Sequence, residues 1–97
     1  MGGPDANKVA AVVEEMNDAK GNAKKTAGLF ATGTKPPEMK KIALYDFSVA
    51  RKPAVTGDTA NCKVRLDKAA NGEQAGEVEW EFVKEGDKWK IKAAPLP

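Results

Sequence analysis

The second half of the chain alternates between apolar and charged side chains, most regularly over Glu77–Lys92. A period of two is typical of a β-strand with one face buried and the other in water. Gly86-Asp87 interrupts the alternation and favours a two-residue hairpin turn. The segment therefore predicts two antiparallel strands, whose inward side chains are Val78, Trp80, Phe82, Trp89 and Ile91.

The length of that turn fixes which side chains face each other. The inward residues have even numbers before the turn and odd numbers after it. Two inward residues can therefore face each other only if their residue numbers add up to an odd number, and a turn with an even number of residues produces this pairing. This register sets Phe82 opposite Ile91 and Glu81 opposite Lys92. Both tryptophans then point inward. Glutamates and lysines form a ladder on the outer face, where each favourable pair contributes roughly 0.2–1 kcal/mol.

Two further strands are predicted upstream of this hairpin. The first covers about 43–52, and Pro53 indicates a bulge or a sheet end near Arg51–Pro53, because proline cannot donate to a ladder. The second, over 59–67, has the cleanest alternation in the chain. The inward residues are Tyr45, Phe47 and Val49 in the first strand and Ala60, Cys62, Val64 and Leu66 in the second.

Turn signals connect these strands into a meander. Gly57-Asp58 predicts a tight hairpin, and the polar segment 68–76, with its Asn71-Gly72 pair, predicts a longer loop that matches even positions with even positions. The predicted facing pairs are Val55 with Ala60, Val49 with Leu66, Val64 with Trp80, and Cys62 with Phe82.

A helical period replaces the alternation before residue 43. The first helix is predicted over about 4–20, the second runs from an Asn22 cap to about Phe30, and a single turn follows Pro37-Glu38. The tail, 93–97, is expected to fray. The inward residues are Val9, Val12, Val13 and Met16 in the first helix, Ala23, Ala27 and Phe30 in the second, and Met39 and Ile42 in the third.

These elements predict an α+β fold in which N-terminal helices pack on one face of a curved, four-stranded antiparallel meander. The chain of 97 residues, 41% hydrophobic and 31% charged, is expected to form a single domain over 1–97, with its helical part at about 4–42 and its sheet at about 43–93. Met1-Gly2-Gly3 is typical of an added start and linker.

Charge and composition exclude several function classes. Sixteen basic and 14 acidic residues are interspersed, giving a net charge of +2, which lacks the one-signed field expected of a nucleic-acid binder. No apolar run approaches the length of a membrane span. We therefore expect no nucleic-acid partner, and a membrane contact only through an anchor in a segment that is missing here.

The chemistry of catalytic and metal sites is also sparse. The chain has one cysteine, Cys62, and no histidine, so it can supply neither an intrachain disulfide nor a clustered zinc site, and the thiol has no histidine to activate it. The carboxylates fall on outward positions or in turns, so no pair is presented to a pocket. We expect no catalytic residues, no metal and no cofactor.

Two stretches of the second half carry a family resemblance. The residues AVTGDTA at 54–60 and VEWEFVKEGDKWKI at 78–91 resemble the small exported bacterial domains of the nuclear transport factor two-like superfamily, which have the cystatin-like fold. The resemblance implies a cone-like domain, often the soluble part of an uncharacterised bacterial lipoprotein or secreted protein. It therefore implies an exported location, although no lipid-attachment cysteine lies near the start of this chain.

The function expected from this reasoning is non-enzymatic. The domain is expected to bind either a small apolar ligand or a protein partner, and a second copy of the chain, bound through the sheet as a homodimer, is one such protein partner. The residues that would line a ligand pocket, or simply fill the core, are Tyr45, Phe47, Cys62, Trp80, Phe82 and Trp89. Two alternatives stay open. The segment Pro53–Gly57 resembles the first inhibitory loop of cystatins, with proline in place of the usual glutamine, and this resemblance implies a protease inhibitor. Some members of the superfamily are enzymes with an acid–base group inside the cone, which is the second alternative.

Overall fold

The computed structural model describes residues 3–96, and it confirms the α+β fold with helices on one face of a curved antiparallel sheet. The strand order is β1-β3-β4-β5, and β2 pairs with β3 on the same side as β1. Met1 and Gly2, the proposed added start, lie outside the described residues. The elements are α1 Gly3–Asp18, α2 Ala23–Gly28, α3 Met39–Ile42, β1 Tyr45–Val49, β2 Ala54–Thr56, β3 Thr59–Lys68, β4 Gln74–Glu85 and β5 Lys88–Ala93.

Helix α1 lies across the inner face of the sheet. Its predicted apolar stripe is confirmed, because Val9, Val12, Val13 and Met16 are all buried. Valine is a mediocre helix former, so packing of this stripe on the sheet stabilises the helix more than local propensity does. The single turn α3 also packs inward as predicted, through the fully buried Ile42.

Helix α2 is capped as predicted but buries a different face. The Asn22 side chain accepts a hydrogen bond from the backbone N–H of Lys25 at 3.0 Å. Ala23 and Ala27, predicted to face inward, are exposed, and Thr26 is buried instead. The hydroxyl of Thr26 lies 3.1 Å from the carbonyl oxygen of Ala19, to which it can donate. This bond ties α2 to the end of α1 and rotates the short helix away from the predicted face.

The irregularity predicted at Arg51–Pro53 is confirmed: β1 ends before it at Val49, and a separate short strand, β2, follows it at Ala54–Thr56, beyond the predicted end of the first strand. Val55 pairs with Ala60 as predicted. Val49 faces Val64, so the predicted pairing with Leu66 is wrong. The cause is a bulge in which the N–H groups of Ala50 and Arg51 both donate to the carbonyl oxygen of Lys63, at 2.8 and 3.3 Å. Over residues 3–96 the sheet therefore has five strands, where four were predicted.

The register between β3 and β4 has the predicted parity and a different offset. Cys62 faces Trp80, with Ala60 opposite Phe82, so the predicted pairs of Val64 with Trp80 and Cys62 with Phe82 are wrong. Strand β3 runs on to Lys68, which shortens the loop to 69–73. A register shift between Leu66 and Asp67 lets even-numbered residues of β3 face even-numbered residues of β4, as predicted.

The β4–β5 hairpin has the predicted two-residue turn. Phe82 faces Ile91, and Glu85 faces Lys88 on either side of Gly86-Asp87. Gly86 has φ 66°, in the left-handed region that a tight hairpin turn requires and that glycine adopts without strain. Glu81 faces Ala93, so its predicted pairing with Lys92 is wrong: a bulge between Glu81 and Phe82 leaves Lys92 without a facing residue.

The C-terminal segment is part of the packed structure. Ala94 is 8% exposed, and Leu96 packs against the core. The indole N–H of Trp80 donates to the carbonyl oxygen of Pro95 at 3.2 Å. The prediction of a frayed tail is therefore wrong for residues 94–96, because the tail caps the edge of the core beside Trp80; Pro97 lies outside the described residues.

Candidate functional site

The six predicted pocket or core residues all belong to the packed layer between α1 and the sheet. Tyr45 is half-buried at its margin. The others are almost without solvent contact, at 3% exposure for Phe47, 1% for Cys62, 0% for Trp80, 1% for Phe82 and 4% for Trp89. The rings of Phe47 and Trp80 lie 5.3 Å apart between centroids, tilted by 54°. These side chains occupy the inner face of the sheet themselves, and their role as ligand contacts stays a prediction.

The polar atoms of this layer are also satisfied. Trp89 donates its indole N–H to the carboxylate of Asp5 at 3.3 Å, and the indole of Trp80 is bonded to the C-terminal segment as described above. Within residues 3–96, every buried side-chain nitrogen or oxygen has a hydrogen-bond partner. A buried ligand site needs polar groups aimed into it to fix the ligand's orientation. The described interior therefore holds no unsatisfied polar group that awaits a ligand.

Cys62 has the environment of a structural thiol. Its sulfur lies 3.5 Å from the carbonyl oxygen of Arg51 and 3.7 Å from that of Lys63. Burial raises the pKa of the thiol from 9.0 to about 11, because the apolar surroundings disfavour the thiolate. Since the thiolate is the nucleophile, a protonated and buried thiol is unreactive at neutral pH.

A groove at the surface joins α1 to the edge of β5. Its volume is about 450 Å³. The apolar walls come from Ala11 and Val12 of α1, from Leu29 and from Trp89, and the rim is charged. We call this the α1–β5 groove and define it by Lys8, Ala11, Val12, Glu15, Leu29, Asp87, Lys88, Trp89 and Lys90.

Backbone hydrogen bonds hold the walls of the α1–β5 groove in place. The N–H of Ile91 donates to the carbonyl oxygen of Leu29, and the N–H of Ala31 donates to that of Ile91, both at 2.8 Å. Leu29 is thereby fixed beside β5 like a residue of an added strand. The bond from Trp89 to Asp5 fixes the opposite wall against the first turn of α1. The groove is a preformed feature between well-anchored elements.

The groove extends past the end of α1. A second depression of about 290 Å³ shares Glu15 and Leu29 with it and continues to Asp18, Ala19 and Lys25. The side chains of the α1–β5 groove include three lysines and two carboxylates, so its rim carries both signs of charge. An apolar centre with a polar rim is the usual anatomy of a protein–protein contact.

Sequence reasoning missed this groove. Its walls come from residues about 80 positions apart in the chain, which only the folded sheet edge brings together. Leu29 was predicted as part of the second helix, but that helix ends at Gly28 and the chain turns along β5. The alternation correctly placed Trp89 inward, yet it gave no signal that the ring borders a surface groove.

The outer face of the sheet is charged, as predicted, but the predicted pairing of the β4 glutamates with lysines of β5 is wrong: Glu81 faces Ala93, and Lys90 faces Val83. Lys63 faces Glu79 and Arg65 faces Glu77 across β3 and β4. Arg65 forms its ion pair along its own strand, with the carboxylate of Asp67 at 2.9 Å. Exposed pairs of this kind are typical of a solvated surface and contribute little to stability. A homodimer through this face stays a prediction.

The described part of the chain has neither a group of metal-ligating side chains nor a membrane-spanning helix. No three histidine, cysteine, aspartate or glutamate side chains among residues 3–96 are grouped as a metal site would require. Over the same range, no helix combines the length and apolar character needed to cross a bilayer. The expectations of no metal, no cofactor, no catalysis and no nucleic-acid partner stay predictions, as does the exported location.

The hairpin compared with cystatin loops is well formed at the β2–β3 turn, where Gly57 has φ 61°. Trp89, the tryptophan nearest to a hairpin turn, lies within β5 and is 4% exposed. The indole therefore does not project from a loop as a residue that inserts into an enzyme cleft would.

Comparisons with known proteins bear on the fold alone. No protein-family model and no curated protein matches this sequence. Among solved structures, one described as "Ntf2 like protein involved in plasmid conjugation" aligns with a TM-score of 0.68 at 17% sequence identity. The alignment covers 94% of this chain and 38% of that one, so this chain spans less than half of that protein's length. The described chain has the nuclear transport factor two-like fold.

Proposed function

We propose that this chain is a non-enzymatic protein-interaction domain that binds a segment of a partner protein in the α1–β5 groove. The observation that carries the proposal is the occupied interior: Trp80, Phe82 and Cys62 are at most 1% exposed, and the buried polar atoms of the described residues are satisfied. Binding at the surface needs no rearrangement of this layer, whereas binding inside would have to displace it.

The shape and composition of the groove favour a polypeptide over a small molecule. Small-molecule sites enclose most of their ligand's surface. The α1–β5 groove is open to solvent along α1, and the adjoining depression at Glu15 and Leu29 lengthens it. An extended segment could place one apolar side chain against Val12, Leu29 and Trp89 while its backbone crosses the charged rim. Small, open and partly charged contacts are typical of transient association.

The cellular setting is a further part of the proposal. We infer an exported bacterial protein, on the resemblance carried by residues 54–60 and 78–91. The structural neighbour is involved in plasmid conjugation. Because its identity to this chain is 17%, that likeness supports the fold, and a role in conjugation is not part of the proposal.

The test is selection of binding peptides followed by mapping. A random peptide library is selected against the protein, and the bound peptides are titrated into ¹⁵N-labelled protein. We expect shifts at the backbone amides of Ala11 and Leu29 and at the indole N–H of Trp89. Leu29→Glu should weaken binding by at least about tenfold, because it places a carboxylate on the apolar wall. Ala11→Glu, at an exposed position of the same groove, should have the same effect.

A matched control is available at Leu44, which is 59% exposed and is not part of the groove. Leu44→Glu makes the same chemical change and should leave peptide affinity unchanged within about twofold. Selected peptides that bind both groove variants like the wild type would overturn the proposal. Shifts confined to the interior residues, such as Cys62 and Phe82, would also overturn it and favour an internal ligand site.

A further inference from the structure

The two open edges of the sheet are treated differently by the rest of the chain. Strand β5 forms one edge, and the segment at Leu29–Ala31 covers it at Ile91 through two backbone hydrogen bonds. Strand β1 forms the other edge. An uncovered edge presents unpaired N–H and C=O groups to which another strand can add, so proteins commonly block such edges.

At the β1 edge the blocking group is a side chain. The carboxamide of Asn17, in the last turn of α1, donates from Nδ2 to the carbonyl oxygen of Phe47 at 2.7 Å. The N–H of Phe47 donates back to Oδ1 of Asn17 at 2.8 Å. A carboxamide has one donor group and one acceptor with the spacing of a peptide group. Asn17 therefore takes the place that a residue of a neighbouring strand would occupy.

The position of this contact makes a single residue sufficient. Phe47 is the middle residue of β1, which runs over Tyr45–Val49. In an antiparallel ladder, alternate residues direct both backbone groups to the same side. Tyr45 and Val49 therefore share the outward direction of Phe47. An incoming strand can form two adjacent hydrogen-bonded pairs with β1 only if the backbone groups of Phe47 are free. Asn17 already occupies those groups.

A second contact holds the end of α1 against the same strand. Lys20 forms an ion pair with Asp46, and its Nζ lies 5.6 Å from the centre of the Phe47 ring. The ion pair joins the chain segment after α1 to the residue next to Phe47. The ion pair does not involve the outward N–H and C=O groups of β1. A variant that lacks only the ion pair therefore weakens the contact between α1 and β1 while Asn17 still blocks the strand edge.

We propose that Asn17 is an edge-blocking residue that prevents β1 from pairing with β1 of a second copy of this chain. A second copy is the matching occupant, because a two-fold axis at Phe47 places the same alternating backbone groups opposite each other. Pairing would continue the sheet from one copy into the other. In the native fold α1 blocks this pairing through Asn17. The pairing becomes possible when the last turn of α1 releases β1.

The test compares Asn17→Leu, which removes both hydrogen bonds, with Lys20→Gln, which removes only the ion pair. Hydrogen exchange of the Phe47 amide is measured by NMR on dilute samples, and mass is measured by light scattering as concentration rises to about 0.5 mM. For Asn17→Leu we expect exchange at least about tenfold faster than in the wild type when dilute, and a concentration-dependent dimer. Lys20→Gln should match the wild type in both measurements.

A double variant identifies the edge that associates. The N–H of Val49 points away from β3, so Val49→Pro removes a donor that only an incoming strand would use. The double variant Asn17→Leu with Val49→Pro should therefore be monomeric again. If Asn17→Leu does not fold, Asn17→Asp keeps the acceptor for the Phe47 N–H, loses the donor, and should show the same dimer more weakly. A folded Asn17→Leu variant that stays monomeric up to about 0.5 mM would overturn the proposal, whatever its exchange rate at Phe47. A dimer that persists with Val49→Pro would overturn it equally.

Discussion

Replacement of Trp80 by phenylalanine tests whether the inner face of the sheet is a tightly filled core. Trp80 has no solvent exposure, and it contacts Phe47 on one side and the C-terminal segment on the other. Phenylalanine keeps an aromatic ring that can pack against Phe47. It removes the indole N–H that bonds to Pro95 and leaves part of the site empty. Trp80→Phe therefore perturbs packing and one hydrogen bond without adding a polar group.

The expected cost follows from these two losses. The hydrogen bond to the exposed Pro95 contributes about 1 kcal/mol, since the carbonyl can bind water once the indole is gone. The unfilled volume in a buried site costs roughly 1–2 kcal/mol, less than the 3–5 kcal/mol of a full truncation to alanine. We expect the free energy of unfolding to fall by about 2–3 kcal/mol, a large part of the stability of a typical small domain.

The assay is urea unfolding followed by far-ultraviolet circular dichroism. Glu79→Gln, at the exposed neighbouring position, is the control and should stay within about 0.5 kcal/mol of the wild type. Amide exchange at Ala94 and Leu96 should also rise in Trp80→Phe, because the tail loses its anchor. A cost below about 0.5 kcal/mol would refute the reasoning, since it would mean that Trp80 lies in a loosely filled space able to adapt to the smaller ring.

Substitutions at Cys62, Asn22 and Gly86 test three local features of the structure. Burial raises the pKa of Cys62 from 9.0 to about 11, so the thiol of the unfolded chain loses its proton at lower pH than the thiol of the folded chain. The stability that the buried thiol contributes is therefore complete below about pH 9 and is lost as the pH rises to about 11. The stability advantage of the wild type over Cys62→Ala should therefore narrow across that range in urea unfolding. Asn22→Ala should cost about 1 kcal/mol by loss of the α2 cap, and Asn22→Gly only a few tenths, in the same assay. Gly86→Ala should lower stability by about 1–2 kcal/mol, because φ is 66° there. Gly28→Ala, in α2 with open space around it, should leave stability unchanged or raise it slightly, and an equal loss for both variants in thermal unfolding would contradict the turn geometry.

The parts of the fold that depend on periodicity could be predicted from the sequence. A strand has a side-chain period of two, so the inward set of β3 at Ala60, Cys62, Val64 and Leu66 follows from the alternation alone. The tight turns at Gly57-Asp58 and Gly86-Asp87 fixed the nearest pairs of their hairpins. These features depend on residues that are close in the chain.

The offsets between strands could not be predicted in the same way. A bulge adds residues without changing the apolar pattern, so the pairing of Val49 moved by two positions while its inward direction was kept. The same holds for Trp80, which faces Cys62 after the shift near Leu66. The position of the tail depends on burial of Ala94, packing of Leu96 and the hydrogen bond from Trp80 to Pro95, for which a sequence gives no local signal.

The candidate site was the least accessible to sequence reasoning. The aromatic residues were identified correctly as inward, but pattern alone cannot distinguish a lined pocket from a filled core. The α1–β5 groove arises because α2 ends at Gly28 and Leu29 turns along β5. The burial of Thr26, which sets that turn, depends on its bond to Ala19 at the end of another helix.

The central claim is that the sheet's inner face is filled by its own side chains, so that partners bind outside it. Methyl NMR under xenon pressure tests this most directly, since xenon enters dry apolar cavities. We predict no saturable shift of the methyl groups of Val64, Leu66 and Ile91 in the wild type. Phe82→Ala, which creates a cavity, should shift them. Saturable shifts of these methyl groups in the wild type would contradict the claim.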